Sequence, residues 1–336
     1  MALRGAARSQ GSGDFLPVPL AYRQGFSTMI TTQDVQQREQ HPVADARSGL
    51  MGLVSDYVAL TKPGIMALLL VTTLGAMLVA QAGAPPFWLI VVTLLGGWMT
   101  AGGANAFNCV IDRDIDSKMP RTRRRGTANG RISAVQGTIF AASLTIGGFL
   151  LLGFFVNWVA AWIALAGNFY YVVIYTLILK RRTSQNIVIG GAAGAMPPLV
   201  GWAAVTGSIA APAWILFAII FYWTPPHFWS LALLKQGEYG RVGMPMLPNV
   251  AGEDETRKQI LLYTVMLVAV SMLLLPFGMG LIYFIGALIL GVWFLRLALM
   301  LMMNPSKALA RKTFFFSIWY MAGIFFVMAI DRLILG

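Results

Sequence analysis

Three oxygen-bearing side chains recur at every fourth position in the stretch Asn108-Cys109-Val110-Ile111-Asp112-Arg113-Asp114-Ile115-Asp116. At 3.6 residues per turn, a spacing of four drifts by only about 40° per step, so Asn108, Asp112 and Asp116 share one helix face. Asp114 points to the other side. Two carboxylates and an amide stacked this way repel one another unless a cation sits among them. Oxygen donors alone, and few of them, suit Mg2+, which keeps several waters and completes its shell from phosphate oxygens. The run Lys118-Met119-Pro120-Arg121-Thr122-Arg123-Arg124-Arg125 follows at once. Guanidinium forks match phosphate geometry. A metal-binding face followed by an arginine cluster is the pattern expected for a diphosphate site. Asn108, Asp112 and Asp116 are its expected metal ligands, and Arg121 and Arg125 its expected catalytic cations. Taken alone, the arginines read equally well as topogenic charge.

The elements that must hold these groups are membrane spans. Of 336 residues, 57% are hydrophobic and only 11% charged, against roughly 25% charged in a soluble domain. Mean hydropathy is +0.70. Apolar runs near 20 residues recur, each long enough to cross a hydrocarbon core of about 30 Å. They are too long and too continuously apolar for barrel strands, so an all-α polytopic bundle is expected. Nine spans are predicted, at about 57–80, 87–109, 132–154, 157–179, 186–206, 211–234, 258–277, 280–303 and 312–333.

Loops after spans 1, 3, 5 and 7 carry no Lys or Arg, and loops after spans 2, 4, 6 and 8 are all basic. The positive-inside rule then puts the N-terminus and the basic loops in the cytoplasm and the C-terminus outside. This placement explains the net charge of +12 without a nucleic-acid partner, and makes the lipid bilayer the expected surrounding. Residues 1–50 are polar, aperiodic and without the apolar core of a secretory signal, so they read as a disordered cytoplasmic tail ahead of a membrane domain at 51–336. One cysteine, Cys109, excludes an intrachain disulfide and reads as a packed small side chain. With two histidines beside it, a zinc site is not expected.

Asn108-x-x-x-Asp112-x-x-x-Asp116 resembles the first signature of the UbiA superfamily of intramembrane prenyltransferases, which have nine helices around a lipid-facing cavity. Longer strings are similar to its heme O synthase branch: Leu60-Thr61-Lys62-Pro63-Gly64, Met119-Pro120-Arg121-Thr122, Thr183-Ser184-Gln185-Asn186-Ile187-Val188-Ile189-Gly190-Gly191, Ala195-Met196-Pro197-Pro198, Trp223-Thr224-Pro225-Pro226-His227-Phe228-Trp229 and Gly243-Met244-Pro245-Met246-Leu247-Pro248. The resemblance covers roughly residues 55–330. It implies Mg2+-dependent transfer of the farnesyl group of farnesyl diphosphate to a vinyl group of heme b, with heme b a substrate rather than a cofactor. It further implies heme A synthase or terminal-oxidase assembly as partners. The short tail without a clear transit peptide favours a bacterial inner membrane, with a mitochondrial inner membrane as the second reading. The rival readings are prenylation of an aromatic quinone precursor and, from another class, membrane transport.

The resemblance also implies roles for single residues. Tyr175, Lys180 and Arg181, at the end of span 4, are expected at the diphosphate, and His227 at the heme. The prolines beside His227 are expected to break the helix and line a cavity. Lys62 reads either as a snorkelling anchor or as a phosphate contact. Asn186 heads span 5, where a helix N-terminus favours anions, or is an ordinary cap. Two departures stand out. The second acidic motif of many superfamily members is here reduced to Glu238, with Val242 where its partner carboxylate would be, which weakens a two-metal scheme. Gly126 replaces a proline usual after the arginine cluster.

Overall fold

The structure is a computed structural model that describes residues 49–335. The tail expected at 1–50 therefore lies outside the described residues, except for its last two. Among the described residues there is no strand, and nine helical segments are long and apolar enough to cross a membrane. The chain is a multi-pass membrane protein.

A short helix comes first, α1 (Leu50–Leu60). Leu50, Met51, Val54 and Val58 are exposed along it, whereas Asp56 is buried and receives Arg131 Nη2 at 2.8 Å. Gly126 lies below: a Cβ there would come within 3.3 Å of the Asp56 side chain and 2.8 Å of Ile132. Lys62 then takes a left-handed conformation (φ 56) and Pro63 opens α2 (Pro63–Gln81), the first span. The span predicted from about 57 is thus two helices. Proline disfavours helical backbone in the residue before it, and this separates them.

Span 2 is α3 (Phe87–Ile111), followed by the single turn α4 (Arg113–Asp116). Span 3 is α5 (Ala134–Phe155), opened by a capping box between Ser133 and Gln136. Span 4 begins as α6 (Trp158–Phe169), capped by Asn157, and continues as a π-helical segment (Tyr170–Leu179). Span 5 is split into α7 (Asn186–Gly194) and α8 (Met196–Thr206) at the Ala195-Met196-Pro197-Pro198 string.

Span 6 is α9 (Ala211–Arg241), and it corrects an expectation. Pro225 and Pro226 lie inside a continuous helix, and the kink falls instead at Lys235 (φ −115, ψ 16). Both prolines are buried, and burial in the bundle tolerates proline in membrane helices. After the turn α10 (Leu247–Val250), spans 7 to 9 are α11 (Gly252–Met272) extended through Phe277, α12 (Leu281–Met303) and α13 (Lys307–Leu335).

Consecutive spans pack side by side, and α13 returns to α2 to close the ring. Without a hydrophobic drive between helices in lipid, small residues and polar bonds must hold the ring together. On α3 and α5 they do. A Cβ on Gly103 would come within 2.7 Å of the Ala141 carbonyl, and one on Gly148 within 2.7 Å of the Gly96 carbonyl. Asn168 Nδ2 binds Thr100 O at 2.8 Å and Thr145 Oγ1 at 2.9 Å, joining spans 2, 3 and 4. At the far end, buried Asp331 accepts the N–H groups of Gly280 (2.7 Å) and Tyr283 (3.0 Å), capping α12 from α13.

The close α3–α5 approach carries the acidic motif. Gly103→Val or Gly148→Val should lower the thermal unfolding midpoint in detergent, a loss of about 1–3 kcal/mol from forced separation of the backbones. Gly237→Ala, with nothing within 4 Å of the added methyl, should leave it unchanged.

Candidate active site

The bundle encloses a cavity of about 630 Å³, lined by residues of several spans. One end of its wall is charged and carries Lys62, Asn108, Asp116, Arg121, Arg125 and Lys180; mostly apolar and aromatic side chains line the rest, with His227, Trp223 and Phe314 among them and a few threonines and asparagines between.

Asn108, Asp112 and Asp116 are all buried, at 2%, 1% and 5% exposure. The helix they share is not the unbroken one expected, since α3 ends at Ile111 and Asp112 (φ −89, ψ 9) separates it from α4. The register nonetheless persists, because Asp112 N bonds Asn108 O (2.9 Å) and Asp116 N bonds Asp112 O (2.8 Å).

Each buried oxygen group is met by a cation from elsewhere in the chain. Lys62 Nζ donates to Asn108 Oδ1 at 2.6 Å, and Asn108 Nδ2 donates to Asp112 Oδ2 at 2.8 Å and to Thr176 Oγ1 at 3.1 Å. Lys180 pairs with Asp112 Oδ2, and Arg181 approaches its other oxygen at 3.3 Å. Arg125 Nη1 lies 2.6 Å from Asp116 Oδ2.

Titration behaviour follows this pairing. Burial pushes the Lys62 ammonium below its usual range, and its closest partner is an uncharged amide. Burial also opposes the charge on Lys180, but Tyr175, Asp112 and Tyr171 outweigh it and hold that ammonium above its usual range. Hydrogen bonds from Arg181 draw the Asp114 carboxyl down.

The π-helical turn of span 4 shapes one wall. Its i→i+5 bonding is seen where Lys180 N meets Tyr175 O at 2.8 Å. Tyr171 and Tyr175 stack with centroids 5.3 Å apart, and Lys62 and Lys180 lie 5.9 and 6.0 Å from those ring centres. Such turns are frequent at functional sites.

A family model, the UbiA prenyltransferase family, matches residues 69–320. The chain belongs to this family. A relative named protoheme IX farnesyltransferase from Gloeobacter violaceus is 52% identical over 288 residues, 85% of this chain and 94% of its own length. One of the same name from Chloroflexus aurantiacus is 49% identical over 318 residues, and there the chain spans 93% of itself but only 54% of the relative. Among solved structures, digeranylgeranylglyceryl phosphate synthase superposes with a TM-score of 0.70 at 19% identity, covering 83% of this chain and 98% of that one. A UbiA homolog from Archaeoglobus fulgidus bound to GPP and Mg2+ gives 0.60 at 14%, covering 81% and 99%. These structures share the fold.

Within this UbiA-family bundle, the expected residues fall into two groups. Lys62, Asn108, Asp116, Arg121, Arg125, Tyr175, Lys180 and His227 line the cavity, with Asp112 directly behind Asn108 and Lys180. Arg181, Asn186 and Glu238 are not among the lining residues. Arg181 grips Asp114 through two bonds of 2.8 Å. Asn186 is fully buried and its amide braces the turn before it, on Thr183 O (2.7 Å) and Lys180 O (3.3 Å). Glu238 pairs with Lys235 at 2.6 Å, next to the kink. Sequence reasoning missed Thr176 and Tyr171, whose arrangement depends on the π turn, and Ser317, a lone hydroxyl in an apolar run.

The donor set suits Mg2+ in kind. It consists of hard oxygens from two carboxylates and an amide, and among the described residues no three His, Cys, Asp or Glu side chains gather as an alternative metal cluster. A cation held there would take the rest of its shell from a bound ligand.

Removing one partner of a buried ion pair leaves the other charge uncompensated. Lys180→Met should cost about 2 kcal/mol, below the usual range for such a loss because Arg181 remains near Asp112. Adding Asp112→Asn should recover part of that stability. Thermal unfolding of the single and double variants in detergent checks both.

Proposed function

We propose that this chain transfers the farnesyl group of farnesyl diphosphate to a vinyl group of heme b, with addition of water, giving heme O and diphosphate. The observation that carries this reading is the two-part cavity. A buried set of carboxylates and cations ends a wall that is elsewhere uncharged, mostly apolar and aromatic, and holds a single histidine. The names of the relatives support the acceptor. The prenyl diphosphate and Mg2+ bound by a homolog of the same fold support the donor and the metal.

In this reading Lys62, Arg121, Arg125 and Lys180 receive the diphosphate. Drawing Lys62, Lys180 and Arg125 onto the phosphate would free Asn108, Asp112 and Asp116, the residues that would hold Mg2+. Bound there, the metal would supply charge stabilisation to the leaving diphosphate. As the bond between allylic carbon and oxygen breaks, its electron pair departs with the diphosphate, and the fixed cations stabilise that charge without reorganising. The terminal vinyl carbon of the porphyrin attacks the allylic carbon with its π electrons, leaving a cation beside the ring. Water adds to that cation and loses its proton to solvent, which gives the hydroxyethyl-farnesyl substituent. No protein base is needed for the first bond, and the apolar walls keep water away until it has formed. Tyr171 and Tyr175 close the side of the polar end.

The domain carrying this activity is residues 51–336. Its polar rim and N-terminus face the cytoplasm across a bacterial inner membrane, as the basic loops favour. Its product suits heme A synthase or terminal-oxidase assembly as downstream partners.

Purified protein incubated with heme b, farnesyl diphosphate and Mg2+ should yield a heme heavier by one farnesyl group plus water, read by mass spectrometry. A quinone-precursor enzyme would leave heme b unchanged. Asp112→Ala should lower product at least a hundredfold while the protein still accumulates in membranes, and normal product would sink the metal assignment. Chelation with EDTA should stop turnover, and added Mg2+ should restore it.

A further inference from the structure

His227 is held on three sides. Its ring stacks on Trp223 (centroids 4.4 Å, 17° between planes) and on Phe314 (4.7 Å, 27°). Its Nδ1 lies 2.7 Å from Ser317 Oγ. Ser317 is fully buried on α13 and anchors both aromatic partners from α9. Its carbonyl accepts the Trp223 indole N–H at 2.6 Å, and its hydroxyl meets His227.

A serine hydroxyl has one proton to donate. The Ser317 hydroxyl donates it to the Phe314 carbonyl at 2.6 Å, back along its own helix. The Ser317 oxygen must then accept from His227, so the ring proton is on Nδ1. Nε2 carries a lone pair, has no protein partner among the described residues, and belongs to a side chain lining the cavity. A ligating histidine commonly donates its other ring N–H to such a partner, which fixes its tautomer and orientation.

We propose that Ser317 is a positioning residue that locks His227 in the Nδ1–H tautomer, so that Nε2 ligates the iron of the acceptor porphyrin. This rests on the reading of heme b as acceptor. The competing geometry has Nε2–H donating to a porphyrin propionate, and it is disfavoured on two grounds. Ser317 would have to give up its bond to Phe314. A carboxylate would also lie beside residue 227, near the middle of the 31-residue helix α9, where a charge is costly. The cavity's cations Lys62, Arg121, Arg125 and Lys180 gather instead with the buried carboxylates of the polar end.

The proposal fixes the acceptor by its metal centre and leaves the macrocycle edge with its vinyl groups free to be turned toward the donor. It also separates the two substrates chemically: phosphate oxygens go to the cations, and iron goes to the imidazole.

The test titrates the full chain in detergent with hemin, reduces it, and records optical and resonance Raman spectra. Wild type should show an iron–histidine stretch. His227→Ala should lose it, and free imidazole should restore a nitrogen-ligated spectrum. Ser317→Ala should bind hemin about tenfold more weakly with a shifted stretch, and Ser317→Thr should restore both. Ser317→Cys, a poorer acceptor of similar shape, serves if the alanine variant does not accumulate. Binding of metal-free protoporphyrin IX should be the same in wild type and in the Ser317 variants. An unchanged stretch in His227→Ala overturns iron ligation. An unshifted stretch in the Ser317 variants, or parallel loss of metal-free porphyrin, overturns the positioning role. Heme O formation with no iron–histidine stretch would reject this proposal while leaving the proposed reaction intact; failure of wild type to bind hemin at all would reject both.

Discussion

A buried carboxylate in a membrane protein has no water to lean on, so its counter-charge must come from its own chain. The polar end of this bundle is organised around that requirement. Asp112 faces Lys180 and Arg181, Asp116 faces Arg125, and Asn108 faces Lys62. These partners come from three stretches of sequence outside the acidic motif, so the pairs also fix the relative positions of spans 1, 2 and 4 and the loop after span 2. The proposed metal ligands and the structural ties are the same side chains. In the proposed reaction an incoming diphosphate would exchange partners within a set whose carboxylates already have counter-charges, and its affinity would reflect the difference between the two arrangements.

Departures from regular helix ring the cavity. Lys62 in a left-handed conformation, the π turn of span 4, the split of span 5 at Ala195 and the kink of α9 at Lys235 all lie on spans whose residues line it. Regular helices pack the remainder, as where glycines bring α3 and α5 into backbone contact. Irregular backbone in lipid is sustained where it borders a cavity or is buried in protein, and its distribution here follows that limit.

Much of this was legible in the residues. Span number and order followed from apolar length, because the bilayer imposes one dimension on every crossing. The register of Asn108, Asp112 and Asp116 followed from helical spacing, and it survived the interruption at Asp112 because the backbone bonds continue across it. What stayed hidden depends on tertiary partners. Pro225-Pro226 reads as a break in isolation, but the surrounding helices bury the segment and keep it helical. Arg181, Asn186 and Glu238 looked like site residues because their types suit phosphate or metal, yet none lines the cavity: Arg181 holds Asp114 and Asp112, the Asn186 amide N–H braces the preceding turn, and Glu238 pairs with Lys235. Ser317 carried no signal, since its significance comes from two rings that lie about 90 positions earlier.

Helix α1 has a bearing on how a substrate arrives. Its exposed leucine, methionine and valine side chains suit the boundary between headgroups and acyl chains, and its buried Asp56 is fastened to Arg131 at the end of the arginine-bearing loop. A float tied to that loop would level the cationic groups with the lipid phosphates. The prenyl diphosphate of the proposed reaction would ride at that same level, its tail dissolved in the leaflet and its charges at the surface. Encounter would then be a search in two dimensions, with surface density in the leaflet, rather than concentration in bulk water, setting how often the site is filled.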